Sequence, residues 1–307
     1  MEQPRIIAAA FAPMSADKNI DVNALNSYSK YLQAQKVSGV FINGSTGDFP
    51  SLTAEERKSI TLEWSHYRLP NFKVIDHVGH TSLKIATDLA KYAADKVDGI
   101  AAIAPYYFKP KSIDSLVDYC TEIAECAPDL PFYYYHLPIL TGVDFVMVEF
   151  MEKVITRIPN FKGIKFTHDN FDDFVKCREF ANAGYEMLFG FDEYFLDSLA
   201  KGATGWVGST YNHLMPLYLE IYQLSLSGKT DEAQKLQSKV LEFVEILNSH
   251  GGYNGASKGL MRYLGVDVGP SRYPHQTPSE DTLQKILDQL ETAGLAQYLP
   301  LKEGKHI

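Results

Sequence analysis

The sequence lacks the features that would direct a chain into or through a membrane. It contains no apolar run of the roughly 18 residues that a membrane-spanning helix needs. Residues 1–5 do not form a basic segment followed by an apolar stretch, so they do not resemble a secretory signal peptide. The three cysteines, Cys120, Cys126 and Cys177, are too few for a disulfide framework and are typical of a reducing compartment. We therefore expect a cytoplasmic protein with no membrane partner.

Positive charge is also scarce. The chain has 29 lysine and arginine residues against 38 aspartate and glutamate residues, which gives a formal net charge of −9. This balance argues against nucleic acid or an anionic surface as the main partner, although a small anionic substrate responds only to its local site. Hydrophobic residues make up 45% of the sequence and charged residues 22%, so we expect a folded chain with a sizeable core.

Motifs for cofactors and metals are missing as well. No GxGxxG follows the first apolar segment, and no GxxxxGK[ST] occurs anywhere. His77 and His80 are close in sequence, but there is no HExxH and no further group of clustered cysteine or histidine ligands. The GxSxG pattern around Ser257 follows a helix and a turn rather than the strand that a hydrolase requires. We expect no cofactor and no metal, and a serine hydrolase using Ser257 is a minor alternative.

Short apolar segments alternate with amphipathic stretches over most of the chain. They predict strands at residues 5–12, 39–43, 72–78, 99–104, 132–136, 163–167, 187–190 and 205–208. Helices are expected near residues 22–35, 53–67, 81–94, 111–125, 144–156, 169–182 and 192–201. Apolar strands separated by helices indicate a parallel sheet that is covered on both faces. Eight such units within about 210 residues predict an α/β fold, a (β/α)8 TIM barrel, rather than an open doubly wound sheet.

The pattern changes after this region. Helices are expected at residues 214–227, 231–248, 256–263 and 278–294, with no strand between them. We therefore predict a barrel over residues 1–212 and a C-terminal α-helical extension over residues 213–307, packed on the barrel as one structural unit.

Lys165 is the first candidate for chemistry. In the segment 163–167, alternation places Ile164 and Phe166 on one face, and the other face carries Lys165. The apolar pair is expected to face the helices, so Lys165 points into the barrel, where burial favours its neutral amine. Such an amine can attack a ketone and form a Schiff base. The alternatives are a lysine paired with an acid from another strand and one that reaches solvent.

Tyr135 is the second candidate, because it lies at the C-terminal end of a predicted strand that also carries Tyr133 on the same face. Active sites of TIM barrels lie at this end of the strands, and a phenol there can relay protons. Ordinary core packing is the alternative.

Two loops at the same end are rich in polar groups. In the loop 43–48, two glycines allow close backbone approach, and Ser45 and Thr46 add hydroxyl donors suited to a carboxylate or phosphate. Asp192 and Glu193 follow Gly190 after the seventh strand and can accept hydrogen bonds from a polyhydroxylated ligand. An ordinary turn and acids at the start of a helix are the respective alternatives.

Three motifs carry a resemblance to a known family. The GSTGD sequence at 44–48 resembles a carboxylate-binding GTTGE or GSTGE loop, YHLP at 135–138 a YxxP motif, and GIK at 163–165 a GxK motif. All three belong to the dihydrodipicolinate synthase/N-acetylneuraminate lyase family of Schiff-base aldolases, which the chain resembles over essentially its whole length. Asp48 departs from the glutamate that is usual in this family. Leu140 stands where synthases of the family carry an arginine, as in its sialic acid lyases.

The resemblance implies a class I aldolase that cleaves N-acetylneuraminate to pyruvate and N-acetylmannosamine. It implies that Lys165 forms the Schiff base, that Tyr135 relays the proton, and that Ser45 and Thr46 hold the carboxylate. The residues implied to hold the polar tail of the sugar acid are Thr167, Gly190, Asp192, Glu193 and Ser209, whereas the role of Tyr253 stays open. Tyr107 matches a tyrosine that the family inserts into a neighbouring subunit, which implies a homotetramer.

Two alternatives remain beside this interpretation. One is another pyruvate-dependent enzyme of the family, either an aldolase for a different 2-keto-3-deoxy sugar acid or a dihydrodipicolinate synthase. The other is a catalytically silent protein that binds a sugar acid. The presence of both Lys165 and Tyr135 counts against a silent protein, because binding alone needs neither.

Overall fold

The computed structural model describes residues 3–300 and shows a closed barrel of eight parallel strands. Each strand pairs with the next along the chain, and the eighth closes the barrel on the first. The strands are β1 (Ile6–Ala9), β2 (Gly39–Ile42), β3 (Lys73–His77), β4 (Gly99–Ile103), β5 (Phe132–His136), β6 (Phe161–Phe166), β7 (Glu186–Phe189) and β8 (Gly205–Gly208). The predicted TIM barrel is confirmed.

Helices alternate with these strands. They are α1 (Ala24–Ala34), α2 (Ala54–Ser65), α3 (Leu83–Ala93), α4 (Ile113–Ala124), α5 (Pro138–Thr141), α6 (Met147–Arg157), α7 (Phe171–Arg178) and α8 (Phe195–Ala200). The short helix α5 was not expected from the sequence, because its four residues are too few to show a periodic pattern. Proline at its first position and Gly142 in the left-handed region at its end account for it.

The strands divide the core in two, as alternation requires. One cluster fills the inside of the barrel and includes Ile7, Phe41, Ile75, Tyr135, Leu188 and Val207. The second, larger cluster lies between strands and helices and includes Ile164 and Phe166. Lys165 lies between those two residues on β6 and therefore points inward, as predicted.

The boundaries of several elements differ from the expected ones. The strand predicted at 5–12 is only Ile6–Ala9, because the chain after it leaves the barrel wall. The helix predicted at 192–201 begins as a 3-10 turn, Asp192–Tyr194, before α8. Both differences lie at the C-terminal end of the barrel, where the loops build a cavity instead of continuing a regular element.

Four helices follow β8 and the 3-10 turn Thr210–Asn212. They are α9 (Met215–Leu226), α10 (Thr230–Asn248), α11 (Tyr253–Leu260) and α12 (Glu280–Thr292). The predicted boundary at residue 212 falls before α9, and residues 301–307 of the predicted extension lie outside the described part of the chain. Within residues 3–300, no helix combines the length and apolar character needed to cross a bilayer.

An ion pair joins the segment after α11 to the start of α2. Arg272 Nη1 donates to Glu56 Oε2 at 2.9 Å, and its Nη2 donates to Oε1 at 2.5 Å. Glu56 also completes a capping box, in which its carboxylate accepts from the Thr53 backbone N–H at 2.9 Å. The hydrogen bonds from Arg272 are the largest cause that lowers the pKa of Glu56 from 4.5 to about 2.

We expect Glu56→Gln to lower stability in a pH-dependent way. The pKa of Glu56 is lower in the folded state, so its contribution is complete above pH 4.5 and is lost as the pH falls through about 2. Glutamine keeps the capping acceptor but not the charge, and should cost about 1–3 kcal/mol at neutral pH, with little difference from wild type at about pH 2. Urea unfolding of both proteins between about pH 2 and neutral pH measures this difference in the free energy of unfolding.

Glu55→Gln is the matched control, because Glu55 lies in the same helical turn with its side chain 81% exposed. Its effect should stay within about 0.5 kcal/mol. Equal losses in the two variants, or a loss for Glu56→Gln that does not vary with pH, would contradict the assigned ion pair.

Candidate active site

Lys165 and Tyr135 lie side by side inside the barrel. The register of β5 and β6 places their Cα atoms opposite each other, and both side chains point inward. Lys165 is only 4% exposed. Its Nζ lies 3.9 Å from the centroid of the Tyr135 ring and 4.3 Å from that of Phe41. The amine is therefore held against two aromatic rings at the inner end of a cavity.

The surroundings of Lys165 exclude a permanent ion pair. Across residues 3–300, no carboxylate oxygen lies within ion-pair distance of Lys165 Nζ. The charge of Lys165 acts on the Asp192 carboxyl, but over a longer distance. Lys165 Nζ lies instead over the faces of the Tyr135 and Phe41 rings.

The loop 43–48 brings Ser45 to the other side of Tyr135. Ser45 Oγ and the Tyr135 hydroxyl oxygen lie 3.5 Å apart. The loop begins with Asn43 and ends with Asp48, both in the left-handed region at φ 54°. Asparagine and aspartate tolerate this conformation better than other residues with a side chain. Ser45 and Thr46 consequently face the cavity between these two turns.

His77 fixes this loop to the barrel. Its Nδ1 donates to the Asn43 carbonyl at 2.8 Å, and its Nε2 accepts the Ile103 N–H at 3.2 Å. Burial, with the nearby Arg57 as a second cause, lowers the pKa of His77 well below its usual value, so the ring is neutral. His80 Nδ1 accepts the N–H of Ser82 at 2.9 Å. These two histidines, which the sequence analysis considered as metal ligands and did not favour, bond backbone groups.

Asp48 also has a structural partner. Ser51 Oγ donates to Asp48 Oδ2 at 2.7 Å, and His275 Nε2 lies 3.7 Å from Oδ1. Burial is the largest cause that raises the pKa of Asp48. The shorter side chain that replaces the usual glutamate thus bonds the side chain of Ser51 at the end of the turn Phe49–Ser51, behind the loop.

The opposite wall of the cavity is polar. Asp192 Oδ2 accepts the backbone N–H of Thr210 at 2.9 Å and its hydroxyl at 2.7 Å. Burial raises the pKa of the Asp192 carboxyl, and that of Glu193 next to it. Thr167 Oγ1 is buried without a hydrogen-bond partner within residues 3–300. Asp192 therefore helps to hold the loop after β8. The Thr167 hydroxyl is available for a hydrogen bond to a ligand.

These groups line one cavity of about 320 Å³. It brings together nine predicted residues, namely Ser45, Thr46, Tyr135, Lys165, Thr167, Gly190, Asp192, Glu193 and Ser209. A wider cavity of about 560 Å³ adjoins it and shares several of its lining residues, among them Leu140 and Tyr253. Tyr107 lines neither cavity and is 76% exposed.

Several lining residues were missed by sequence reasoning. Val244 and Asn248 reach the cavity from α10, and Phe41 lies under the lysine. The helical pattern of α10 gave no sign that one of its turns faces a ligand. Tyr253, whose role was left open, accepts a hydrogen bond from Ser209 Oγ at 3.1 Å.

Within residues 3–300, Ser257 has none of the partners that a nucleophile requires. It is completely buried in α11, and its Oγ donates to the Asn254 carbonyl at 3.2 Å. The nearby His213 ring bonds the Ser257 backbone carbonyl at 2.8 Å. The GxSxG pattern is therefore part of a helix, which agrees with the expectation from the sequence that a serine hydrolase using Ser257 is a minor alternative.

The chain is similar to a known protein family over most of its length. The model of the Dihydrodipicolinate synthetase family matches residues 2–293. The chain belongs to this family. Three relatives of this family member illustrate the range of similarity.

N-acetylneuraminate lyase A of Xenopus laevis is 40% identical over 274 residues, which are 88% of this chain and 89% of the relative. The human protein named N-acetylneuraminate lyase is 34% identical over 304 residues, covering 97% of this chain and 95% of the relative. The solved structure of Proteus mirabilis N-acetylneuraminate lyase superposes with a TM-score of 0.91 at 31% identity, over 96% of this chain and all of that one.

We expect His77→Ala to destabilise the protein. The substitution leaves two buried backbone groups, the Asn43 carbonyl and the Ile103 N–H, without their partner, and should lower the free energy of unfolding by about 2–5 kcal/mol. Chemical unfolding measures the loss. His80→Ala is the control, since it removes one bond within a half-buried turn and should cost about 1 kcal/mol or less. A loss for His77→Ala no larger than the control would show that this ring does not hold the loop.

Proposed function

We propose that this family member is an N-acetylneuraminate lyase, a carbon-carbon lyase that cleaves the sugar acid reversibly to pyruvate and N-acetylmannosamine. One observation carries the proposal: a buried lysine, which has no ion pair within the described part of the chain, lies beside a tyrosine in a cavity whose opposite wall is polar. Relatives that cover most of the chain and bear the lyase name support the same activity.

The reaction begins at Lys165. Its neutral amine attacks the C2 ketone of the open-chain sugar acid, and loss of water gives a protonated imine. The substrate carboxylate lies against Ser45 and Thr46, where backbone and hydroxyl donors replace an arginine. The imine then accepts the electron pair that is released when the adjacent bond breaks, so no metal is required for this purpose.

Tyr135 acts in the second step. Through its phenol it relays the proton from the C4 hydroxyl, helped by the substrate carboxylate, and the C3–C4 bond breaks to give the aldehyde N-acetylmannosamine and an enamine on Lys165. The distance of 3.5 Å from Ser45 Oγ provides a polar neighbour for the phenol at the carboxylate end. Protonation of the enamine at C3 and hydrolysis of the imine release pyruvate and regenerate the lysine.

The polar wall determines the substrate. Thr167, Glu193 and Ser209 present oxygen atoms to the hydroxyl tail of the sugar, and Asp192 adds a buried carboxylate. The buried Thr167 hydroxyl gains a partner when a polyol binds, which favours such a ligand. Leu140 lines the cavity where an arginine would hold a second carboxylate, so the lining disfavours a dicarboxylate product.

We further propose a homotetramer in which Tyr107 enters the site of a neighbouring subunit. Tyr107 and Phe108 lie on the loop after β4 and are 76% and 86% exposed. Their rings form an edge-to-face pair 4.9 Å apart. Burial of two such side chains in a partner would remove a large apolar area from water. The cytoplasmic location, and a place in carbohydrate metabolism, remain predictions of the same kind.

The activity is tested by release of pyruvate from N-acetylneuraminate, measured with a coupled dehydrogenase. We expect turnover with this substrate and none above background in forming dihydrodipicolinate from pyruvate and aspartate semialdehyde. The reverse preference would assign the protein to the synthase branch. Binding of the sugar acid without turnover would support a silent binding protein instead.

Lys165 is tested by borohydride reduction in the presence of pyruvate, followed by peptide mapping. We expect a stable adduct on Lys165, and Lys165→Ala should abolish both the adduct and turnover. Lys162→Ala is the control, because Lys162 lies on the same strand with its side chain 39% exposed and donates to the Gly184 carbonyl. An adduct on another lysine, or unchanged turnover in Lys165→Ala, would refute the assigned nucleophile.

Tyr135→Phe should lower kcat by about 10²–10⁴-fold, because the proton relay is lost while the ring remains. Steady-state kinetics with N-acetylneuraminate measure the effect. Tyr133→Phe is the control from the same strand and face, since its hydroxyl donates to Glu186 Oε2 at 2.8 Å at the other end of the barrel. A change confined to KM would exclude the relay role.

A further inference from the structure

A pair of histidines lies on the outside of the barrel wall, behind the cavity. His136 is the last residue of β5 and alternates with Tyr135, so it points away from Lys165 toward the helices. His168 follows Thr167 at the end of β6. The two imidazole rings lie with their centroids 5.5 Å apart at an angle of 78°.

His136 is a buried polar group without a protein partner. It is 0% exposed, and neither of its ring nitrogens has a hydrogen-bond partner in the described chain, residues 3–300. Its ring packs 5.1 Å from that of Phe166 and 6.2 Å from that of Tyr134. Burying an imidazole among aromatic rings in this way costs free energy unless its lone pair is used.

A carboxylate completes the group. Asp144 belongs to the loop between α5 and α6, and its Oδ1 lies 4.0 Å from His168 Nδ1. One ligand atom from each of His136, Asp144 and His168 lies within 4.8 Å of the other two. A tetrahedral zinc ion, with ligands about 2.0–2.1 Å away, needs its ligand atoms about 3.3 Å apart. The Asp144 side chain, which is 64% exposed, is free to rotate toward His168, and small side-chain adjustments of the three residues are needed to reach this spacing.

Asp169 orients the second ligand. Its Oδ1 lies 3.4 Å from His168 Nε2 and so favours the proton on that nitrogen. The lone pair is then on Nδ1, the nitrogen that faces Asp144. A carboxylate behind a histidine is the common arrangement around metal-binding imidazoles. His136 offers the other imidazole, since neither of its ring nitrogens bonds a protein group within residues 3–300.

We propose that His136, Asp144 and His168 form a binding site for one divalent transition-metal ion, with Zn²⁺ as the preferred occupant. Two imidazoles and one carboxylate suit zinc and its neighbours, whereas magnesium and calcium prefer oxygen ligands alone. The fourth position faces a surface cavity of about 420 Å³ that Asp144, His168 and Asp169 line, which gives the ion an entry path.

The site is separate from the proposed lyase chemistry. His136 points to the outer side of the strand whose Tyr135 faces inward, and the two cavities adjoin at Ile139 and Phe191, which line both. A bound ion would tie the loop that carries Asp144 to the end of β6 and so stiffen the frame around the YxxP motif. The proposal therefore stands whether or not the protein is a lyase.

The experiment uses full-length protein without a histidine tag, stripped with a chelator, and isothermal titration with Zn²⁺. We expect one equivalent to bind with a Kd of about 10 μM or tighter and to raise Tm, since the ion binds only the folded state. Co²⁺ should give the visible absorption of a low-symmetry site, and anomalous diffraction should place the ion between the three side chains. Absence of binding at this level would refute the proposal.

His168→Ala and Asp144→Asn should each weaken binding by at least about tenfold, and Asp169→Asn by about 10-fold to 100-fold. Asp144 is exposed, so its variant tests the site even if the histidine variant folds poorly. His250→Ala and His306→Ala are controls that should leave Kd unchanged; His250 bonds Gln289 on the extension, and His306 lies outside residues 3–300. Unchanged affinity in both ligand variants would assign the ion to another place and overturn the inference.

Discussion

The pairing of β5 with β6 is the constraint on which the candidate site depends. This register sets Tyr135 directly opposite Lys165, and alternation along each strand turns both side chains inward. A shift of β5 by one residue would place His136 inside instead of Tyr135. A shift of β6 would place Ile164 inside and send the lysine into the apolar layer under the helices. Packing of Ile164 and Phe166 in the large outer cluster therefore fixes the geometry of the candidate site.

Buried polar groups secure the other half of the site. Arg57, only 1% exposed, donates to the carbonyls of His77 and Gly79, and Asp76 accepts from Asn43 Nδ2 at 2.8 Å. Burial lowers the pKa of Arg57 to about 10 and raises that of Asp76 to about 6, and each charge partly offsets the shift of the other. These bonds hold a loop with two left-handed residues in one conformation, with Ser45 beside Tyr135.

Much of this arrangement was predictable from sequence, and the exceptions have physical reasons. Alternation around Lys165 gave its orientation, and eight apolar segments gave the barrel, because both follow from local periodicity. The contribution of Val244 and Asn248 to the cavity depends on how α10 docks, which no local pattern specifies. The use of His77 by two distant backbone groups was equally invisible, since those groups come together only in the folded barrel.

Closure of the barrel by β1 and β8 has a consequence for biosynthesis. β1 is the first strand to leave the ribosome. One of its edges stays unpaired until nearly two hundred further residues have emerged, because its second partner is Gly205–Gly208. The ligand cavity is delayed further still, as Tyr253 arrives only with α11. A nascent chain therefore contains its lysine once about half of the chain is made, but it completes the pocket around that lysine only after α11 has emerged.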